Sequence, residues 1–230
     1  MPSLSIATVS AARQIERRDW ERLAPDGHPF LDADFFTLME QHETAGPACG
    51  WHAHHRVATN PDGAVVGLVP TYIKSNSHGD FVRDWSWAAA YQQLGKTYYP
   101  KLLSGVPHTP ASGPRFLVAA GSDSDQVRTR LIEHIKASVA ESGFSSWHVA
   151  LPATDEVELL RANGLLVSHD VQFHWRDHGY GDFDGYLAAF PSAKRRKVKA
   201  ERRRVGENGL TIEVRHGNEI APDEWPALYQ

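Results

Sequence analysis

The residues best suited to chemistry in this sequence are concentrated in one basic segment. Between Lys194 and Arg204 the chain carries eight Lys and Arg residues and a single acid, Glu201. The formal net charge of the whole chain is −4, so subtracting the +7 of this segment leaves −11 for all other residues. Positive charge is therefore gathered in one place, where an anionic ligand is the natural partner.

The basic segment is predicted to form a helix. Its Lys, Arg, Ala and Glu residues favour helix, Ser192 is a candidate N-cap, and Gly206 or Gly209 can end it. Cations in the first turn of a helix oppose the helix dipole and cost stability unless an anion is bound there. We therefore predict a site for a phosphate or carboxylate, formed by Lys194, Arg195, Arg196, Lys197 and Lys199. The alternative is a basic surface helix paired with the acidic remainder of the chain.

A strand beginning at Leu165 is predicted just before this helix. Its alternation places Val171, Phe173 and Trp175 on one face and Gln172 and His174 on the other. A histidine can act as acid, base or hydrogen-bond donor near neutral pH, so His174 and Gln172 are the catalytic candidates. Trp175 is predicted to bind substrate beside them. The alternative for His174 is a purely structural histidine.

The middle of the chain, residues 75–118, is rich in aromatic residues and turns and has no regular periodicity. Long irregular segments on a folded scaffold often carry function, so this stretch is a candidate substrate cleft. Its aromatic residues are equally suited to a core. The substrate-binding candidates from this stretch are Tyr99, Lys101 and Arg115.

No metal site is predicted. Residues 51–59 and 64–74 alternate on either side of the turn Asn60-Pro61-Asp62-Gly63, which indicates a β-hairpin. His52 and His54 would share one face of its first strand, but a metal site needs three or four ligands. We interpret the two histidines as a solvated strand face.

The order of elements predicts an α/β or α+β fold. Helices are expected at residues 11–23, from Asp32 onward, at 127–142 and at 154–162, with strands at 146–151 and from Leu165. Such alternation is typical of a mixed sheet flanked by helices. A further strand at 210–215 and a helix at 222–230 follow the basic segment.

The composition is that of a globular protein, with 41% hydrophobic and 23% charged residues. The single cysteine, Cys49, excludes an internal disulfide and fits a reducing compartment. We find no signal-peptide pattern and no apolar stretch of membrane-spanning length, so a cytoplasmic location is predicted. A G-x-S-x-G elbow, a Walker loop and a Cys-His signature are also missing from the sequence.

Nine short phrases, in order from about residue 28 to the C-terminus, carry a family resemblance. They are His28-Pro-Phe-Leu, Gly67-Leu-Val-Pro-Thr-Tyr-Ile-Lys-Ser, Asp84-Trp-Ser-Trp-Ala, Tyr98-Tyr-Pro-Lys-Leu, Thr109-Pro-Ala-Ser-Gly-Pro-Arg, Val171-Gln-Phe-His-Trp-Arg, Gly179-Tyr-Gly-Asp-Phe-Asp, Ser192-Ala-Lys-Arg-Arg-Lys and Glu201-Arg-Arg-Arg-Val. Together they resemble the FemAB-like branch of the GNAT acyltransferase superfamily, a bacterial group described as peptidoglycan biosynthesis or recognition proteins.

The resemblance implies two GNAT-like halves, each a mixed sheet flanked by helices. On that basis residues 1–180 are expected to form the first GNAT-like domain, 181–209 a basic helical connector, and 210–230 the start of an incomplete second domain. The chain then resembles a fragment or truncated product, and its expected partner is the missing second half or another subunit.

The resemblance also implies the chemistry, which is transfer of an acyl or aminoacyl group to an amine, with aminoacyl-tRNA or acyl-CoA as co-substrate and no bound cofactor. The loop that holds coenzyme A in many GNAT proteins has its nearest match in residues 92–97, where Thr97 stands in place of Gly or Ala. Two alternatives remain open. One is a non-catalytic module that binds nucleic acid or an anionic peptidoglycan precursor, and the other is a structural half whose basic helix docks onto a second domain.

Overall fold

A computed structural model describes residues 4–121 and 123–229 of the chain. The chain separates into two compact units, Met1–His169 and Asp170–Gln230. The predicted first domain extended to residue 180, so the segment that carries Gln172, His174 and Trp175 falls instead in the second unit.

The described residues of the first unit form eight strands in two four-stranded sheets, with strand orders β1-β3-β4-β7 and β2-β5-β6-β8. All pairs are antiparallel except β6 and β8, which run parallel, so the second sheet is mixed. The strands are β1 (Ser5–Val9), β2 (Trp51–Ala53), β3 (His55–Thr59), β4 (Val65–Val69), β5 (Thr71–Lys74), β6 (Lys101–Ser104), β7 (Leu117–Val118) and β8 (Trp147–Val149).

One long hairpin joins the two sheets. Its first arm passes from β2 to β3 at His54, and its second arm passes from β4 to β5 at Pro70. Proline has no N–H to donate to a strand ladder, which favours a break at this point. The backbone N–H of His54 donates to the carbonyl of Thr71 across the break, at 2.8 Å. The predicted hairpin is therefore confirmed, with a bend that divides it between two sheets.

Five helices belong to the first unit and three to the second, within the described residues. They are α1 (Arg17–Leu23), α2 (Ala33–Gln41), α3 (Trp85–Gln93), α4 (Ser124–Ser142), α5 (Thr154–Ala162), α6 (Phe183–Ala188), α7 (Ser192–Glu207) and α8 (Trp225–Tyr229). Short 3-10 segments occur at Ala12–Gln14, Pro29–Leu31, Pro47–Cys49 and Gly217–Glu219. The mixed second sheet and the helices that flank the sheets confirm the predicted α/β class.

The first unit has two hydrophobic clusters on opposite sides of its strands. Leu103 belongs to a cluster with Trp20 of α1 and Phe36 of α2, whereas its neighbour Leu102 packs with Leu131 of α4. Successive residues of a strand point to opposite faces, so α1 and α2 cover one face and α4 covers the other. α5 joins the α4 side through a buried leucine, Leu160.

Two predicted strands are wrong. Residues 165–176 and 210–215 have no regular secondary structure in the second unit. Their side chains alternate as a strand requires, but a strand also needs a neighbouring strand to satisfy its backbone N–H and C=O groups. Both segments have the alternating sequence, but the described part of the second unit contains no strand with which either could pair.

The predicted basic helix is confirmed as α7. It begins at Ser192, one residue after Pro191, which occupies the cap position instead of the predicted Ser192. Asn208 follows its end, and Gly209 adopts a left-handed conformation with φ of 70°. α3 has no counterpart in the prediction, because its sequence WSWAAAYQQ has no apolar stripe and none of its side chains is buried.

Candidate functional site

The candidate site lies on the α1 and α2 face of the second sheet, near one end of its strands. Lys74 at the end of β5 pairs with Lys101 at the start of β6, and His148 of β8 pairs with Leu103. Paired residues point to the same face, as do residues two apart on one strand. The register therefore places Lys74, Lys101 and His148 on one face, where the segment between β5 and β6 meets them.

Lys101 is fully buried, yet its charge is compensated. Its Nζ lies 2.8 Å from Oδ2 of Asp80, 2.8 Å from the hydroxyl of Ser77, and in hydrogen-bond contact with Oδ2 of Asp84. The contacts with Ser77 and Asp84 are hydrogen bonds and the contact with Asp80 is an ion pair, so two of the ammonium donors are hydrogen-bonded and its charge faces two carboxylates. A buried charge is tolerated only when it is paired in this way.

Asp84 is the centre of the network. It directly precedes α3, and its carboxylate accepts hydrogen bonds from the hydroxyls of Ser77 and Tyr98, each at 2.6 Å, as well as from Lys101. Burial by itself raises the pKa of Asp84, but the hydrogen bonds from Lys101, Ser77 and Tyr98 outweigh burial and lower the pKa to about 2. Asp84 is therefore a carboxylate at any physiological pH.

Tyr98 connects this carboxylate to His148. The Tyr98 hydroxyl donates to Asp84 and lies 3.1 Å from Nε2 of His148. The hydroxyl of Ser146 approaches the same ring nitrogen at 2.9 Å. Burial and the neighbouring Asp84 raise the pKa of Tyr98, so its phenol keeps its proton. The buried ion pair is thus linked through one phenol to an imidazole.

His148 is the member of the network that reaches the surface, with 24% of its side chain exposed. Burial, followed by the charge of Lys101, lowers the pKa of His148 to about 4, against the opposing effect of Asp84. The imidazole is therefore neutral at pH 7 and has a lone pair available. In the described part of the chain, Nδ1 of His148 makes no hydrogen bond. A neutral, partly exposed imidazole that is oriented through its other nitrogen is suited to accept a proton.

The arrangement is not a Ser-His-Asp triad, although it contains all three residue types. In a triad the serine contacts one ring nitrogen of the histidine and the aspartate contacts the other. Here Ser146 and Asp84 both approach Nε2 of His148, at 2.9 and 3.7 Å. The geometry therefore does not activate Ser146 as a nucleophile.

Two further residues border the network. Tyr99, half-buried, has its hydroxyl 2.8 Å from that of Ser77. Nζ of Lys74 lies 3.6 Å from the ring centroid of Trp51 and donates to the carbonyl of His78 at 3.1 Å. Burial lowers the pKa of Lys74 to about 7, although Asp80 acts in the opposite direction.

Of the residues predicted from the middle segment, Tyr99 and Lys101 lie in this network and Arg115 lies outside it. Arg115 is 2% exposed. Its guanidinium donates to the carbonyls of Ala150, Pro114 and Ala111 at 2.7, 3.1 and 2.5 Å. Burial lowers its pKa to about 10. Arg115 therefore stabilises the loop between β6 and β7. Its side chain is enclosed and does not reach a surface on which a substrate could bind.

The predicted catalytic pair lies in the second unit. Nε2 of His174 is 3.1 Å from Oε1 of Gln172, and both side chains are exposed on a segment without regular structure. Trp175 packs its ring 6.1 Å from that of Tyr186. Gln172 and His174 are neighbours, as predicted, but because they are close in the chain and not because they share the face of a strand. Their catalytic role stays a prediction.

Several predicted anion-binding residues of α7 have partners within the second unit. Nζ of Lys194 lies 4.4 Å from the ring centroid of Phe190, and Arg195 donates to the carbonyl of Ala188 at 3.4 Å. Exposed ion pairs join Lys197 to Glu201 at 3.9 Å and Lys199 to Asp184 at 3.2 Å. Arg196 has no such partner among the described residues. The anion site stays a prediction.

Sequence reasoning missed Ser77, Asp80, Asp84, Tyr98 and His148. Two signals were available, since Asp84 and Tyr98 each begin one of the phrases shared with the FemAB-like group. His148 carried no local signal, because its partner Tyr98 is 50 positions away.

No group of three metal-ligating side chains occurs among residues 4–121 and 123–229. His52 and His54 lie on and just after β2, and burial lowers the pKa of His54 to about 4. None of the helices described is both long and apolar enough to cross a membrane.

Comparison with solved structures gives distant similarities. An aminoglycoside antibiotic 6'-N-acetyltransferase from Acinetobacter baumannii is 9% identical, with a TM-score of 0.44, and the match covers 77% of this chain and 100% of that one. A ribosomal-protein-alanine N-acetyltransferase from Brucella melitensis biovar Abortus 2308 is 12% identical, with a TM-score of 0.41, over 76% of this chain and 100% of that one. No curated protein matches significantly.

The match to a protein-family model covers most of the chain. A sequence model of the FemAB-like family, described as peptidoglycan biosynthesis/recognition, matches residues 11–230. The match spans both units and every member of the network around Asp84, and it confirms the resemblance inferred from the sequence. This chain belongs to the FemAB-like peptidoglycan biosynthesis/recognition family.

Proposed function

We propose that the protein transfers an acyl or aminoacyl group to an amine of a cell-wall precursor, with His148 as the base. The observation that carries the proposal is the neutral, partly exposed imidazole of His148, held by Tyr98 and, through it, by the carboxylate of Asp84. Membership of a family described by peptidoglycan biosynthesis supports the class of acceptor.

The reaction requires a base because an amine loses a proton when it becomes an amide. The amine nitrogen of the acceptor attacks the carbonyl carbon of an ester or thioester donor, and a C–N bond forms. His148 takes the proton from that nitrogen, the C–O or C–S bond breaks, and the same proton passes to the leaving oxygen or sulfur. Positioning of the two substrates supplies much of the rate, so no covalent intermediate on the protein is needed.

The remaining network residues position the base. Tyr98 stays protonated and Asp84 stays ionised at neutral pH, so the hydrogen bonds on the Nε2 side of His148 persist throughout the reaction. Lys101 donates to Asp84 and Ser77 and forms an ion pair with Asp80, and its hydrogen bond and charge help to keep Asp84 ionised. The donor is proposed to be aminoacyl-tRNA or an acyl-CoA.

The test is His148→Gln, assayed with aminoacyl-tRNA or acetyl-CoA as donor and a lipid-linked muropeptide as acceptor. The glutamine amide can occupy the position of Nε2 but cannot accept a proton, so kcat is expected to fall about 10²- to 10⁴-fold. His52→Gln, on the exposed side of β2, is the matched control and should retain full activity. Parallel circular dichroism spectra would show that both variants fold.

Two outcomes would contradict the proposal. Unchanged turnover in His148→Gln would remove His148 from the chemistry. Loss of turnover in His174→Gln with full activity in His148→Gln would return the base to the residue predicted from sequence, in the second unit.

A further inference from the structure

A chain of aromatic and cationic side chains runs through the second unit, and the proposed chemistry does not use it. The ring centroid of Tyr186 lies 6.1 Å from that of Trp175 and 4.8 Å from that of Phe190. Nζ of Lys194, in the first turn of α7, lies 4.4 Å from the Phe190 centroid. Farther along α7, the guanidinium of Arg202 lies 4.1 Å from the ring of Phe183. We call these six residues the aromatic–cation cluster.

Large apolar side chains are exposed at the first residue of the cluster, Trp175, and just before it in sequence. Val171 is 70% exposed, Phe173 is 94% exposed and Trp175 is 64% exposed. An isolated exposed apolar residue is ordinary, but three within five positions are not, and the last of them, Trp175, is linked through the rings of Tyr186 and Phe190 to Lys194 of α7. Such a combination needs a partner that is both apolar and anionic.

α7 itself offers positive charge to an external partner. No residue of α7 is buried. Within the part of the chain that the structure describes, Arg196 and Arg204 have neither a hydrogen-bond nor an ion-pair partner for their guanidinium groups. The carboxylates that pair with Lys197, Lys199 and Arg203 do so in exposed contacts, which are weak and readily exchanged.

We propose that the aromatic–cation cluster and α7 dock the protein onto an anionic phospholipid surface. The Lys and Arg side chains of α7 meet the lipid phosphates, each contributing favourable electrostatic free energy near the membrane surface. The apolar ring of Phe173 and the amphipathic indole of Trp175 enter the interfacial layer between the lipid headgroups and the acyl chains. The other residues carry a net charge of −11, once the +7 of residues 194–204 is removed from −4, so the attraction to an anionic surface comes from residues 194–204 and not from the rest of the chain.

The phenylalanine rings of the aromatic–cation cluster are poorly placed for stacking by nucleic-acid bases. Binding of bases to aromatic side chains requires open ring faces on which a base can stack. Lys194 occupies a face of Phe190 and Arg202 a face of Phe183, while Tyr186 meets Phe190 edge-on with an interplanar angle of 74°. The exposed aliphatic side chain of Val171 also has no role in stacking with bases.

The test is flotation of the full chain with vesicles made of equal parts phosphatidylglycerol and phosphatidylcholine, compared with vesicles of phosphatidylcholine alone. Binding is expected only to the anionic vesicles and should weaken as salt is added. The double variant Arg196→Glu with Arg204→Glu should bind at least about 30-fold more weakly, because each cation near an anionic surface contributes about 1 kcal/mol. Phe173→Ser should weaken binding at both low and high salt.

The matched control is Arg13→Glu with Arg18→Glu, two exposed arginines of the first unit, which changes the net charge by the same amount. The control should bind anionic vesicles as the unchanged protein does. Equal binding to both kinds of vesicle, or equal loss in the control and the α7 variant, would overturn the proposal. Competition of vesicle binding by a single-stranded RNA of arbitrary sequence, with tighter affinity for the RNA, would also overturn it. Vesicle binding is independent of the transfer assay, so either proposal can fail alone.

Discussion

The hydroxyl of Tyr98 lies 2.6 Å from Oδ2 of Asp84 and 3.1 Å from Nε2 of His148, and so joins a fully buried ion pair to a partly exposed imidazole. Lys101 faces the carboxylates of both Asp80 and Asp84 in the interior, while His148 is neutral through burial. The network therefore presents an uncharged proton acceptor at the surface, linked by hydrogen bonds to a buried cluster of charged residues.

Tyr98→Phe tests the central link of this network. The variant removes one of the hydroxyl donors of Asp84, so we expect the pKa of Asp84 to rise above about 2 and the free energy of unfolding to fall by about 1–3 kcal/mol. Urea denaturation and an NMR titration of the Asp84 carboxyl group measure the two effects. Tyr91→Phe is the matched control, since among the described residues the Tyr91 hydroxyl has no hydrogen-bond partner. Equal effects of the two substitutions would show that Tyr98 acts through ring packing and not through its hydroxyl.

Lys101→Met tests the buried ion pair. The substitution removes the cation that contacts both Asp80 and Asp84 in the interior, so the free energy of unfolding is expected to fall by about 3–5 kcal/mol. Urea denaturation measures the loss, and Lys96→Met, at an exposed position after α3, should change stability by less than about 0.5 kcal/mol. Adding Asp80→Asn and Asp84→Asn to Lys101→Met should recover part of the loss. No recovery would mean that Lys101 stabilises the fold by packing alone.

The pKa of His148 predicts how stability depends on pH. The folded value of about 4 lies below the ordinary value of 6.5, so the unfolded chain binds a proton at this site more readily. The neutral His148 side chain makes its full contribution to the free energy of unfolding above pH 6.5. That contribution is lost as pH falls toward 4, by roughly 3 kcal/mol in total. Asp84 acts in a separate, lower window, between its ordinary value of 3.8 and about 2.

His148→Gln should therefore flatten the decline in stability between pH 6.5 and pH 4. Thermal denaturation across that range, with the variant subtracted from the unchanged protein, isolates the contribution of this residue from other groups that titrate there. His52→Gln serves as the control. Identical pH profiles for the unchanged protein and His148→Gln would mean that the imidazole is not desolvated as the structure indicates.

The parts of this fold that were predictable are those encoded by neighbours in sequence. α4 and α7 follow from local propensity and periodicity, and Gly143, with φ of 73°, ends α4 as expected. α3 was missed because its burial pattern is not amphipathic. The two false strands had the correct alternation, but strand formation depends on a partner that local sequence does not specify.

The candidate site was also predictable from the sequence only in part. Tyr99 and Lys101 were identified from residue type within an irregular segment, without any knowledge of their contacts. Asp84 reaches Lys101 across 17 positions and Tyr98 reaches His148 across 50, so these contacts depend on the register of β6 with β8 and on the path of the segment between β5 and β6. Arg115 had a suitable residue type but is enclosed by the loop that it braces.

A pair of glycine substitutions tests whether α4 packs as closely on β4 as the structure shows. A Cβ atom on Gly67 would lie 2.8 Å from Cγ1 of Val127 and 3.0 Å from Cδ1 of Leu131, both on the buried side of α4. Because these side chains are packed and cannot move freely, Gly67→Ala should lower the free energy of unfolding by about 1–3 kcal/mol. A Cβ on Gly206 would meet nothing within 4 Å, so Gly206→Ala in α7 should instead raise helix stability by up to about 1 kcal/mol. Thermal and urea denaturation would measure the pair. If Gly67→Ala proved neutral, α4 would have to lie farther from β4 than these distances, and the sheet face that it covers would be less tightly packed.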